Sequence, residues 1–126
     1  MADPRHRIGL AAEEAVGAWL EGSGWIVLAR RHRRASGGEV DLIALDARDV
    51  LVGIEVRARR SARTGAPEET IDARRVRRIA GTLLGYARDE GVPHAGLRID
   101  LVAADPVRGP NGAGLRLRRI PDVGSG

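Results

Sequence analysis

Apolar positions recur at helical spacing in two parts of the chain. Between Gly9 and Glu21 they fall three or four residues apart, and Gly22 interrupts the pattern. The same spacing returns from Val76 to Ala87, where arginines crowd the first half of the segment and Gly91 follows it. Because one face of an amphipathic helix meets the core at this spacing, we predict two helices.

Three shorter stretches have the apolar content and alternation of β-strands. Trp25–Ala29 is the first, and the arginine-rich segment Arg30–Gly38 after it is predicted to be a basic connection. Val40–Leu45 and Val50–Arg57 are the other two, separated by the polar segment Asp46–Asp49. Two strand-like runs joined by a short polar turn predict a β-hairpin.

The C-terminal part of the sequence predicts one further strand and contains a second candidate strand. Leu97–Ala103 alternates as a strand does, and Leu115–Ile120 is the other candidate. Asp105–Gly114 between them contains two prolines and three glycines, so we predict a loop there. Arg59–Pro67 is basic and rich in small residues, and is predicted to be a surface loop.

Two helices around a run of strands predict a mixed α/β sheet with a central antiparallel hairpin flanked by helices. A chain of 126 residues is long enough for one such domain and too short for two. We assign residues 1–8 to a flexible N-terminus, residues 9–120 to the domain and residues 121–126 to a tail.

The hairpin brings two carboxylates together. A turn centred on Arg48 places Asp41 opposite Glu55 and Glu39 opposite Arg57. Facing carboxylates repel, so a divalent cation or a shared proton is expected between them. Mg²⁺ is the natural candidate, because it accepts one or two carboxylates together with waters and phosphate oxygens. The alternative is a solvated patch in which neighbouring arginines neutralise the carboxylates.

The opposite face of the hairpin is wholly apolar and is therefore predicted to be buried. It consists of Val40, Leu42, Ala44, Val52, Ile54 and Val56. Trp19 and Trp25 are also predicted to be core residues, which leaves little aromatic surface for stacking nucleic-acid bases.

Composition narrows the partners and the chemistry. All 21 basic residues are arginine against 17 acidic ones, and the pI is about 11.0. This surplus of positive charge favours a polyanionic partner, although arginines can also simply keep the protein surface solvated. The absence of cysteine excludes disulfides and thiolate ligands.

No apolar run approaches the length of a membrane span, and the first residues lack an apolar signal core. We therefore expect a cytoplasmic protein without membrane contact.

Two motifs on the hairpin resemble a known family. Segment 38–44 reads Gly-Glu-Val-Asp-Leu-Ile-Ala and segment 54–59 reads Ile-Glu-Val-Arg-Ala-Arg. Both resemble signatures of the uncharacterised bacterial YraN family, uncharacterised protein family 0102, which is similar in pattern to Holliday-junction resolvases and restriction endonucleases. Further matches to the family are Gly9, Glu13, Gly65, Pro67 and Arg98-Ile99-Asp100.

The resemblance implies a restriction-endonuclease-like fold with a metal-dependent nuclease site. It implies that Asp41 and Glu55 bind Mg²⁺ or Mn²⁺ and that Glu13 assists from the first helix. For Glu13 the alternative is a solvated helix residue. Arg57 stands where the family has lysine; arginine stays protonated, so it offers charge and hydrogen-bond donors but no base.

These inferences predict a protein that binds nucleic acid, with DNA as the first candidate, and that hydrolyses its phosphodiester bonds. Branched DNA is among the candidate substrates. The arginines predicted to contact phosphates are Arg30, Arg31, Arg33, Arg34, Arg59, Arg60, Arg63 and Arg75. Such contacts position nucleic acid without reading its sequence. Two alternatives stay open: a nucleic-acid-binding module of the same fold without catalysis, and a structural protein whose arginines only solvate it. A homodimer is also left open.

Overall fold

The computed structural model describes residues 4–35, 38–58 and 71–124, which form two helices and five strands. In chain order these are α1 Pro4–Gly22, β1 Ile26–Arg33, β2 Glu39–Leu45, β3 Val50–Ala58, α2 Ala73–Glu90, β4 Gly96–Gly109 and β5 Gly112–Ile120. The predicted mixed α/β class is therefore confirmed. Within the described ranges, neither helix has the length and apolar content that a membrane crossing requires.

The five strands form one mixed sheet in which neighbours along the chain are also neighbours in space. Their order is β1-β2-β3-β4-β5; β3 and β4 are parallel, and the other pairs are antiparallel. Because parallel strands need a crossover, α2 lies in the connection between β3 and β4. The Asp72 carboxylate caps the start of α2, and Gly91 ends it in a left-handed conformation with a φ of 62°.

The sheet is buried between the two helices. On one face, Val16 and Leu20 of α1 belong to a buried cluster with residues of β2 and β3. On the other face, Ile79 and Leu83 of α2 belong to a second cluster. The hairpin residues of the α1 cluster are Leu42, Ala44, Val52 and Ile54, and those of the α2 cluster are Val40, Ile43 and Leu51.

Val40 departs from the predicted faces of the hairpin. It is buried as expected, but it packs on the α2 side, whereas Leu42 and Ala44 pack on the α1 side. Residues two positions apart in a regular strand share a face. The strand β2 is therefore irregular at Asp41, and placing Val40 on the same face as Leu42 was wrong.

Both elements at the start of the chain are longer than predicted. The helix α1 begins at Pro4, so the segment assigned to a flexible N-terminus is helical from there onward. Arg30, His32 and Arg33 pair with residues of β2, so much of the predicted basic connection is strand. Charged side chains concealed this extension, because β1 is an outer strand whose arginines lie at the surface of the sheet.

Much of the predicted loop Asp105–Gly114 is also strand. The strand β4 continues to Gly109 and β5 begins at Gly112, so the two strands form a long hairpin. Among the described residues, β3 accompanies β4 only as far as Ala104. Beyond Ala104, one edge of β4 has no strand partner among these residues. Proline has no N–H to donate to a neighbouring strand, so Pro106 is acceptable there.

The two tryptophans are less buried than predicted. Trp19 is 38% exposed on α1. Trp25 is partly buried at the margin of the α1 cluster, with the guanidinium carbons of Arg98 and Arg119 at 5.7 and 5.3 Å from its ring centroid. Both arginines bond the carboxylate of Asp100, which is 0% exposed. The motif residues Arg98 and Asp100 thus form an ion cluster that joins β4 to β5.

Candidate functional site

The two carboxylates at the centre of the predicted site are Asp41 on β2 and Glu55 on β3. The pairs from Leu42–Ile54 to Leu45–Leu51 confirm the predicted register of the hairpin. One residue beyond, the Val56 N–H donates to the side chain of Asp41, with 2.8 Å between the nitrogen and Oδ2. The Asp41 carboxyl therefore lies where the hairpin opens, in hydrogen-bonding contact with Glu55.

Asp41 holds a proton more tightly than an ordinary aspartate does. Burial raises its pKa most, and the negative charges of Glu55 and Glu13 raise it further. The hydrogen bond from Val56 acts in the opposite direction, and the resulting pKa is about 7. Near neutral pH the carboxyl of Asp41 is therefore close to the point at which it loses its proton.

Glu55 is held by an arginine of the second helix. Nε of Arg75 lies 2.6 Å from Oε2 of Glu55, and Nη2 lies 2.9 Å from Oε1. This two-pronged contact is the strongest geometry for an arginine and a carboxylate. The side chain of Glu55 is 10% exposed and that of Arg75 is 41% exposed, so the arginine side chain is far more accessible to solvent than the glutamate. The sequence predicts Arg75 as a phosphate contact, and in the structure it binds Glu55.

Glu13 reaches the site from α1 and is bound by Arg31 of β1. Its Oε2 lies 3.1 Å from Nε of Arg31, and its side chain is only 18% exposed. Glu13 is therefore a partly buried helix residue held in an ion pair. The negative charge of Glu13 is the smallest of the causes that raise the pKa of Asp41.

The backbone of β1 reverses its facing at Arg31. Arg30 and Arg31 both form ion pairs with glutamates of α1, whereas His32 contacts the ring of Tyr86 on α2. Arg31 has a φ of 50°, a left-handed conformation that is unusual for a residue with a side chain. Its neighbours pair with Leu42 and Val40 of β2, so the reversal lies opposite Asp41, where β2 is also irregular.

Glu39 is joined to β1. It is paired with Arg33 in the sheet, and Nη2 of Arg33 lies 2.9 Å from its Oε2. The register between β2 and β3 is confirmed from Leu42 to Leu45, so the predicted facing of Glu39 and Arg57 stays a prediction. Arg57 lies two positions beyond Glu55 on β3 and is partly buried.

Two of the predicted phosphate contacts hold β1 and the residue after it against the helices. Arg30 lies over Gly17 of α1, where a Cβ would come within 2.5 Å of its guanidinium. Arg34 donates from Nη1 to the Gly81 carbonyl of α2 at 2.7 Å and covers Gly85. Glycine inside a helix costs about 1 kcal/mol relative to alanine, and here it leaves room for a guanidinium. The predicted contacts Arg59, Arg60 and Arg63, with the motif residues Gly65 and Pro67, lie outside the described residues.

A cleft lies next to Glu39 and to Arg75, the partner of Glu55, and neither Asp41 nor Glu55 is among the residues that line it. Arg33, Glu39, Arg75 and Arg78 line one part of it, and Glu13, Arg31, Arg33 and Glu39 line the adjoining part. Arginines thus border the cleft on the β1 side and on the α2 side. Arg78 was not singled out from the sequence; its only signal was its place among the arginines that crowd the start of α2.

The donor set offers a divalent cation two adjacent carboxylates. In the described part of the chain, no three His, Asp or Glu side chains come together as a metal-binding group. Mg²⁺ needs only one or two carboxylates and completes its shell with waters and phosphate oxygens. Asp41 and Glu55 therefore fit such an ion once Asp41 has lost its proton and Arg75 has released Glu55.

The sequence matches one protein family. The model of the uncharacterised protein family UPF0102 matches residues 12–104. The chain is 41% identical over 117 residues to the UPF0102 protein of Symbiobacterium thermophilum, covering 93% of this chain and 95% of that protein. It is 39% identical over 101 residues to the UPF0102 protein of Anaeromyxobacter dehalogenans, covering 80% and 74% of the two chains. For the UPF0102 protein of Chromohalobacter salexigens the identity is 44% over 101 residues, covering 79% and 78%.

Proposed function

The chain belongs to the uncharacterised protein family UPF0102, and we propose that it is a metal-dependent endonuclease that binds DNA and hydrolyses its phosphodiester bonds. The observation that carries the proposal is the contact between the carboxyls of Asp41 and Glu55, which contributes to the pKa of about 7 at Asp41. A cation that replaces the proton stabilises such a pair of carboxylates, because it offsets their mutual repulsion. Arg75, which binds Glu55, lines a cleft together with Arg33 and Arg78, and planar guanidinium groups suit phosphate oxygens.

In this proposal Asp41 and Glu55 hold Mg²⁺ or Mn²⁺. The bound ion supplies a Lewis acid for a phosphate oxygen and lowers the pKa of a water. Asp41 must release its proton before it can bind, so affinity for the ion rises as the pH rises through about 7. Arg57 offsets the negative charge that develops on the phosphate, and it cannot act as a base.

A second candidate is a DNA-binding module of the same fold without catalysis. Two observations favour it. Arg57 cannot deprotonate a water, and Arg75 occupies both oxygens of Glu55. In such a module the carboxylates form a structural ion cluster, and the arginines of the cleft alone bind DNA.

Cleavage and binding assays on the same variants separate the two candidates. The substrates are branched, duplex and single-stranded DNA with saturating Mg²⁺ or Mn²⁺. We expect cleavage by the wild-type protein, its loss in Asp41→Asn, and equal or greater cleavage by Arg57→Lys, with little change in DNA affinity. Arg57→Ala should lower cleavage by about 10²-fold. Asp89→Asn, at an exposed position of α2, is the matched control.

The outcomes identify each candidate. If the wild-type protein and Arg57→Lys are both inert while the wild-type protein binds DNA, the binding module replaces the nuclease. If only Arg57→Lys cleaves, the arginine is the lesion in an otherwise complete site. A wild-type protein that neither cleaves nor binds DNA would support the alternative of a structural protein whose arginines only solvate it.

A further inference from the structure

Within residues 4–35, 38–58 and 71–124, the hairpin of β4 and β5 continues beyond the other strands of the sheet. The pairing of β3 with β4 ends at Ala58 and Ala104. From there the two strands continue together, from the Asp105–Arg116 pair to the Gly109–Gly112 pair. We call this segment, residues 105–116, the ribbon. Five residues in each strand give it a length of about 17 Å.

The ribbon leaves the sheet at the end that carries the candidate site. The strands β3 and β4 are parallel, and Glu55 is paired with Leu101 and Arg57 with Ala103. The ribbon begins two positions after Ala103. It therefore extends beyond Arg57, and the turn Asp46–Asp49 lies at the opposite end of the sheet.

The ribbon is slim and carries a cation on each face. Its tip is Gly109-Pro110-Asn111-Gly112, and β5 opens with Gly112-Ala113-Gly114, so bulky side chains are absent from this part of the described chain. Arg116 is paired with Asp105, and Arg108 is paired with Ala113. Because side chains alternate along β4, these two pairs present opposite faces. Both arginines are exposed.

We propose that the ribbon enters the major groove of duplex DNA, with Arg108 and Arg116 contacting the phosphate backbones on its two sides. This inference rests on the proposed function and names its substrate class as double-helical DNA. A ribbon with side chains on both faces is about 10 Å thick. That thickness fits a major groove about 12 Å wide and exceeds a minor groove about 6 Å wide. The major groove of duplex RNA is narrow and deep, and a single strand offers no groove.

Fluorescence anisotropy with the full chain in EDTA tests the ribbon without cleavage. The probes are a labelled duplex DNA, its single strand and the equivalent duplex RNA. For Arg108→Ala/Arg116→Ala we expect at least about tenfold weaker binding to duplex DNA, because two phosphate contacts are lost. The slope of log K against log salt should fall by about 1.8. Binding to the single strand should change by less than about twofold.

Two further variants keep the test decisive. Arg48→Ala removes an exposed arginine from the turn at the opposite end of the sheet, and it should bind all three probes as the wild-type protein does. Asn111→Glu places a negative charge at the tip and keeps both arginines, and it should weaken binding to duplex DNA alone. Thermal unfolding of each variant shows that the fold is retained.

Three results would overturn the inference. The first is a double variant that binds duplex DNA as Arg48→Ala does, and the second is one that loses equal affinity for duplex and single strand. The third is a change in oligomeric state by light scattering without a change in DNA affinity, which would identify the ribbon as a contact between copies. In each of these the wild-type protein still binds nucleic acid, so the proposed function survives. A wild-type protein that binds none of the probes would overturn both.

Discussion

Replacing Asp41 with asparagine should make the metal-free protein more stable at pH 8. The side chains have nearly the same shape, and the amide oxygen can still accept the Val56 N–H. The amide nitrogen can donate to Glu55, as the protonated carboxyl does. The substitution therefore removes the ionisation of Asp41 and keeps its contacts.

The magnitude follows from the pKa of Asp41, which the fold raises from 3.8 to about 7. Between these values the unfolded chain has lost a proton that the folded protein keeps, so each pH unit lowers stability by about 1.4 kcal/mol. The destabilisation is absent below the lower pKa, grows to about 4 kcal/mol at the upper one, and is constant above it. Between pH 5 and pH 8 the advantage of Asp41→Asn should therefore grow by about 3 kcal/mol.

Urea unfolding in EDTA at pH 5, 6, 7 and 8 measures this advantage. Asp89→Asn, which changes an exposed aspartate of α2, should show no comparable trend. Adding Mn²⁺ at pH 8 should stabilise the wild-type protein and leave Asp41→Asn unchanged, because only the carboxylate pair binds the ion. A stability difference that does not vary with pH, or an asparagine variant that is less stable at pH 8, would refute the reasoning.

Three other changes test the surroundings of the site and the fold. Arg75→Gln should tighten Mn²⁺ binding at pH 8, because a guanidinium no longer occupies the carboxylate; unchanged affinity in calorimetry would contradict this. Asp100→Asn should lower the free energy of unfolding by about 3 kcal/mol, because two arginines lose a buried partner, whereas Asp49→Asn in the exposed turn should have little effect in urea unfolding. Gly38→Ala should cost about 1–3 kcal/mol, because a Cβ would collide with the Thr82 hydroxyl. Thr82→Ala in the same chain should recover most of that loss, and no recovery would exclude this contact as the cause.

The hairpin and its carboxylates could be predicted because their signals are local. Alternating apolar residues on either side of a polar turn set a register that the structure confirms from Leu42 to Leu45. The same reasoning failed for the face of Val40, where β2 is irregular and Arg31 on the neighbouring strand adopts a φ of 50°. A left-handed arginine has no signature in the sequence.

The arginines show where sequence reasoning stops. The sequence does not distinguish an arginine that packs over a helical glycine from one that binds a phosphate. Only the tertiary structure shows that Arg30 packs over Gly17. The partner of Glu55 likewise lies 20 positions away at Arg75, on another element. The lengths of β1 and β4 were missed for a related reason, because charged or proline-containing segments are acceptable at the outer edges of a sheet.

The strand order has a consequence for self-association. The outer strands β1 and β5 each leave one edge without a strand partner in the described part of the chain, and such edges invite pairing with another molecule. Both strands carry arginines, namely Arg30, Arg31, Arg33, Arg116, Arg118 and Arg119. Charged side chains on an edge strand disfavour such pairing, and because arginine keeps its charge at any working pH, this protection should persist in alkaline buffer. It should weaken with added salt, as the screening length shortens.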